Sequence, residues 1–122
     1  MHYTKLSDKE LQDKIQQIYF AAHTDYDLCS DLILEGLDRD NGFAKSIAAD
    51  ALYYEDHGFK KDLNLSWKYA CEAHWEGWPI GTYVLAKFYR DRGEYALAQS
   101  LLEDIKDKSR WAQSLLINLQ AE

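Results

Sequence analysis

Proline occurs once in the 122 residues, at Pro79, and glycine six times. A backbone with so few obligatory breaks favours helices joined by short turns over a sheet-rich fold. Cysteine is equally sparse. Cys29 and Cys71 form no CxxC or other ligand-spaced pair, so they read as reduced core thiols rather than as a disulfide or metal ligands. Basic side chains are in deficit, 14 against 21 acidic ones, for a net charge of −7. Phosphate backbones repel such a surface, and no basic run offsets it, which argues against a nucleic-acid partner. No segment approaches ~18 consecutive apolar residues, so no membrane span is expected. The start, MHYTKLSDKELQDK, lacks the apolar stretch and small-residue cleavage site of a signal peptide, and the expected location is cytoplasmic.

Catalytic signatures are missing too. His2, His23, His57 and His74 lie in no HExxH or similar cluster, and no GxSxG, P-loop or GxGxxG occurs. His23 and His57 fall near the ends of equivalent helices, where a cation suits the carboxyl-terminal dipole. The loop pairs Asp25 with Asp27 and Asp38 with Asp40 lack the ligand number and glycine of a calcium loop, and read as helix starts and solvated turns. No catalytic residue, cofactor or metal is therefore expected. An enzyme would need a site assembled by folding from residues such as His23, His57 and Asp50; an exposed Asp50 with scattered histidines would remove that alternative.

What the chain does have is aromatic residues, 14%, including nine tyrosines and four tryptophans, and clear helix signals. Ser7 with Glu10 makes a capping box, with Leu6 and Leu11 as its staple, and Leu11, Ile15, Ile18 and Ala22 follow as one apolar stripe. Thr24 is placed to cap a second helix that turns Leu28, Leu32 and Ile33 inward and ends in EGLDRDNG. A third runs from about Phe43 to His57 and stops at Gly58. A fourth follows Asp62 and ends at Gly77. Pro79 opens a fifth that ends near Gly93. YALAQSLLEDI and SRWAQSLLINL make a sixth and a seventh.

A shift of 35 residues lays Ala51, Tyr54 and Gly58 on Ala86, Tyr89 and Gly93, and lays Asp27, Gly42 and Phe43 on Asp62, Gly77 and Trp78. One tyrosine position is filled three times, by Tyr19, Tyr54 and Tyr89. Two helices per period of this length are the mark of stacked helical hairpins, which bury the face that one pair cannot cover alone. The expected fold is all-α: one domain over residues 1–122, a short right-handed solenoid of antiparallel hairpins. It would have about seven helices, two to three repeats and a capping helix.

KDLNLSWKYACEAHWEGWPIGTYVLAKFYRDRG, residues 61–93, resembles the Sel-one-like repeat, a relative of the tetratricopeptide repeat, at Asp62, Ser66, Tyr69, Ala73, Gly77, Gly81, Leu85, Ala86, Tyr89 and Gly93. Residues 25–60 fit more loosely, and residues 93–105 look like an ordinary tetratricopeptide helix with a shortened turn. Asp50 departs from the pattern, standing where Leu85 stands one period later. Either the row is rotated and Asp50 reaches water or a neighbouring hydroxyl, or its carboxylate is held inward for a partner's Arg or Lys.

The resemblance implies a concave side lined by the first helix of each pair. Partner-facing positions would then be Lys45, Ala48, Leu52, Glu55 and Asp56 on the third helix, and Ile80, Tyr83, Lys87, Arg90 and Asp91 on the fifth. The first helix would add Asp13, Gln17 and Phe20. Tyr83 and Arg90 are residue types that anchor interfaces, though both also occur as ordinary surface residues. The expected function is non-enzymatic protein binding. Small size and acidity suggest a dedicated inhibitor of one basic partner, a toxin or effector domain, as in bacterial immunity proteins. An adaptor or chaperone subunit of a signalling or secretion complex is the alternative. The expected state is a monomer or weak homodimer.

Overall fold

The structure, a computed structural model, describes residues 5–21, 25–55 and 58–120. Ala22, Thr24, His2, His23, His57 and Asp56 lie outside the described residues. Among the described residues there are seven helices and no strand: α1 (Asp8–Tyr19), α2 (Tyr26–Asp38), α3 (Gly42–Tyr54), α4 (Leu63–Trp75), α5 (Pro79–Asp91), α6 (Tyr95–Ile105) and α7 (Arg110–Gln120).

Local chemistry accounts for the helix starts. Ser7 and Glu10 form the reciprocal capping box of α1. Asp25, Asn41 and Asp62 each accept a backbone N–H three residues on, at the starts of α2, α3 and α4. The cap of α2 is therefore Asp25 and not Thr24 as expected, in keeping with the reading of Asp25 as part of a helix start. Pro79 occupies the first turn of α5, where its missing N–H costs nothing.

Three helices end in the same way. At α4, Gly77 N–H donates to the His74 carbonyl and Trp78 N–H to the Ala73 carbonyl; at α5, Gly93 donates to Arg90 and Glu94 to Tyr89. At α2 the left-handed position is taken by Asp40 (φ 58°), whose N–H donates to Leu37 while Asn41 donates to Gly36. The end of α3 departs from the expected stop at Gly58. Glu55 takes the left-handed conformation three residues earlier (φ 60°), and the freed carbonyl of Leu52 accepts the Asp62 N–H.

Neighbouring helices pack in sequence, and α3 also touches α5 and α1, so these odd-numbered helices form one layer. α3 lies at the centre, with every residue from Gly42 to Tyr53 buried. A helix enclosed on all sides needs small residues on all sides. Ala44, Ser46, Ala48, Ala49 and Ala51 supply them. The two helices of a hairpin approach closely near its turn. A Cβ on Gly36 would sit 2.3 Å from the Ala44 Cβ, and one on Gly81 would sit 2.6 Å from the Ala73 Cβ.

These contacts correct the 35-residue register. That spacing relates the ends of α1 and α3, Tyr19 and Tyr54, but the caps Asp25 and Asp62, and the close pairs Gly36·Ala44 and Ala73·Gly81, are 37 apart. The three tyrosines differ accordingly: Tyr19 is buried, Tyr54 is 53% exposed and Tyr89 is half-buried. Gly42 and Gly77, expected to correspond, are glycines for different reasons. Gly77 has φ 89°, whereas a Cβ on Gly42 would meet the Trp78 ring nitrogen at 2.2 Å.

Candidate functional site

Asp50 is buried: it reaches a neighbouring hydroxyl, as one reading expected, and its counter-ion is a lysine of this chain. Its carboxylate accepts the Tyr19 hydroxyl at 2.7 Å and faces the Lys87 ammonium at 3.0 Å. Lys87 is fully buried, not partner-facing, and its Nζ lies 3.9, 4.4 and 4.7 Å from the ring centres of Tyr54, Tyr83 and Tyr53. The expected external cation is thus this chain's own. Two charges withdrawn from water are tolerated because each is paired; the ring faces add about 0.5–2 kcal/mol apiece by cation–π attraction. With no accessible atom, Lys87 offers a substrate neither nucleophile nor base.

Two clefts flank this pair on the odd-numbered helices. The first, about 410 Å³, lies where α3 and α5 end and is lined by Tyr53, Tyr54, Glu55, Lys61, Leu63, Arg90 and Asp91. Arg90 donates to Asp91 at 3.0 Å and to the Tyr53 hydroxyl at 3.2 Å, and that hydroxyl also bonds Asp91. Burial and the neighbouring Asp91 carboxylate push the Tyr53 phenol well above the ordinary tyrosine value. Burial does the same to Tyr83, helped by Tyr54 and Asp50. The cleft thus holds two carboxylates and two cations beside an exposed tyrosine ring, a surface suited to recognition by hydrogen bonds and ion pairs.

The second cleft, about 320 Å³, lies at the opposite, amino-terminal ends of α3 and α5, beside the start of α7. Phe20 meets Trp111 edge to face at 5.1 Å, and Phe43 meets Trp78 at 5.5 Å. Lys108 and Arg110 are the charged residues of its lining.

The expected partner-facing set therefore divides. Glu55, Arg90 and Asp91 share the first cleft, with Tyr83 half-buried below Tyr54; Gln17 and Asp13 are exposed on α1, Asp13 paired with Lys9. Ala48, Leu52 and Lys87 are core, and Ile80 is half-buried. Lys45 is also enclosed, not surface-facing: its Nζ contacts Asp40 at 2.5 Å, Glu72 at 3.4 Å and Glu76 at 3.7 Å. The bond to Asp40 holds its pKa above the ordinary lysine value. Sequence reasoning missed Tyr53, Tyr54 and Lys61 in the first cleft, and all the aromatic lining of the second except Phe20. The available signal was the mutual placement of Asp50 and Lys87: both belong to helices whose starts lie 37 residues apart, so opposite charges stand at matching depth.

Cys29 is buried and Cys71 half-buried, and neither is in a disulfide. Among the described residues no three of His, Cys, Asp and Glu are placed to hold a metal ion, and no helix is long and apolar enough to cross a membrane. No protein-family model, curated protein or solved structure matches the chain.

Proposed function

We propose that the chain is a non-enzymatic protein-binding module, a short right-handed solenoid of the Sel-one-like kind. In this reading it binds and neutralises one basic protein partner in the cytoplasm, as toxin-immunity proteins do. The observation that carries the reading is the division of the odd-helix layer. Its interior polar groups are spent on each other in the Asp50–Lys87–tyrosine cluster, while Tyr54, Glu55, Arg90 and Asp91 stay at an open rim. Surface tyrosine and arginine beside an open cleft are typical anchors for a protein partner, and a closed interior is a poor place for catalysis. The net charge of −7 favours a basic partner and speeds its capture at low salt.

The test is to immobilise the protein, pass over it a low-salt lysate of the cells that make it, and elute with rising salt. One stoichiometric basic protein, released by salt and inhibited when the free chain is added back, is the expected result. Several neutral or acidic partners would instead support an adaptor in a larger complex. No partner at all would overturn the binding reading.

A further inference from the structure

We propose that the cleft between α1, α3, α5 and α7 is a binding site for a small organic acid with a flat apolar body, a bicyclic aromatic carboxylate being the model ligand. The site is separate from the rim at the other end of α3 and α5, and the proposal does not depend on what that rim binds.

Three observations point the same way. The first is the wall. Phe20, Phe43, Trp78 and Trp111 all line one cleft of about 320 Å³, the low end of the size range of small-molecule sites and ample for two fused rings. Phe20 keeps 43% of its surface exposed although it has Trp111 as a neighbour, so apolar area remains for a ligand to cover.

The second is charge. The chain carries 21 acidic residues, yet no Asp or Glu is among the cleft's described lining residues; the ionised groups there are Lys108 and Arg110. Six cations elsewhere, Lys9, Arg39, Lys45, Lys87, Arg90 and Lys106, are tied to carboxylates. Among the described residues neither Lys108 nor Arg110 forms an ion pair. Two uncommitted cations beside an aromatic wall match a molecule that has an anion at one end and an apolar body at the other. The amino-terminal turns of α3, α5 and α7 stand at the same cleft and add to its positive potential, opposed by the carboxyl-terminal end of α1.

The third is that both lining hydroxyls are engaged within the chain, so that Gln16 is the remaining uncharged polar side chain of the described lining. The Ser46 hydroxyl donates to the Phe43 carbonyl at 2.6 Å, and the Ser109 hydroxyl accepts the Ala112 N–H at 3.2 Å. A lining of four aromatic rings with one amide and two cations suits a ring body that carries a single anionic group.

The experiment titrates the intact chain with 2-naphthoate and, separately, with its neutral counterpart 2-naphthalenemethanol, following tryptophan fluorescence and backbone amide shifts. Saturable naphthoate binding, several-fold tighter than the alcohol, is expected, with shifts at Phe20, Phe43 and Trp111. Lys108→Glu with Arg110→Glu should weaken naphthoate by about tenfold and leave the alcohol within about twofold. Both residues are exposed, and circular dichroism checks the fold; Lys108→Gln with Arg110→Gln repeats the comparison if the reversal unfolds the chain. Equal affinity for acid and alcohol, absence of saturable binding, or shifts confined to the rim residues Tyr54, Glu55, Arg90 and Asp91 would each overturn the proposal.

Discussion

In the hairpin α2–α3 the helices meet at Gly36 and Ala44, and in α4–α5 they meet at Ala73 and Gly81. Both hairpins open on an aspartate cap and both turn through a left-handed residue, Asp40 in one and Gly77 in the other. Buried positions of the outer helices also agree: Cys29, Ile33 and Gly36 answer to Ser66, Ala70 and Ala73. Inside, the two diverge. At one matching depth α3 carries Asp50 and α5 carries Lys87, and the two side chains meet. A buried charge that would destabilise either hairpin alone is compensated by its opposite in the neighbour. The charge pair thus links the two hairpins across their interface.

Breaking the pair should have the largest effect. Lys87→Met leaves Asp50 buried with only the Tyr19 hydroxyl, and should cost about 3–5 kcal/mol in urea unfolding. Adding Asp50→Leu should restore much of that loss; additive single costs would show that the two charges are not each other's counter-ion.

Filling the turn contacts comes next. Gly36→Ala and Gly81→Ala should each lose about 1–3 kcal/mol through overpacking against a facing alanine. If only one does, the close approaches are not equivalent. Removing the caps is a smaller test: Asp25→Ala and Asp62→Ala should each lower stability by about 1 kcal/mol, by similar amounts.

Alkaline pH sharpens the comparison by acting on all of the interior at once. Tyr53, Tyr83 and Lys45 are each held above their ordinary values of 10.0, 10.0 and 10.5, so the folded chain keeps protons that the unfolded chain has lost. Their contribution is complete below about pH 10 and should fall as pH rises through the ordinary values toward the raised ones. A transition midpoint in urea that stays constant from pH 9 to above 11 would contradict this.

Much of the fold was legible in the sequence because helix ends carry their own chemistry. Ser7–Glu10, Asp62, Pro79, Gly77 and Gly93 act within four residues, and their structural roles agree with the local reading. The candidate site was harder to read because it depends on which face of each helix is covered. α3 carries alanines on every side, the mark of an enclosed helix, yet the helix geometry implied by the resemblance placed Lys45 and Leu52 at the surface. Aligning tyrosines rather than caps shifted α5 by two residues, about 200° around a helix, enough to hide that Lys87 points at Asp50. The aromatic cleft joins residues from α1 and α7, the two ends of the chain, and no local pattern announces such a meeting.

The most direct test of function compares two variants as bait against wild type. Tyr54→Ala with Asp91→Lys alters the rim, and Trp75→Ala removes a ring that is 84% exposed on α4. If the rim is the binding face, the rim variant loses the salt-released partner and the α4 variant retains it at wild-type stoichiometry. Retention by the rim variant with loss by the α4 variant would place the binding surface on the other side of the molecule and contradict the proposal.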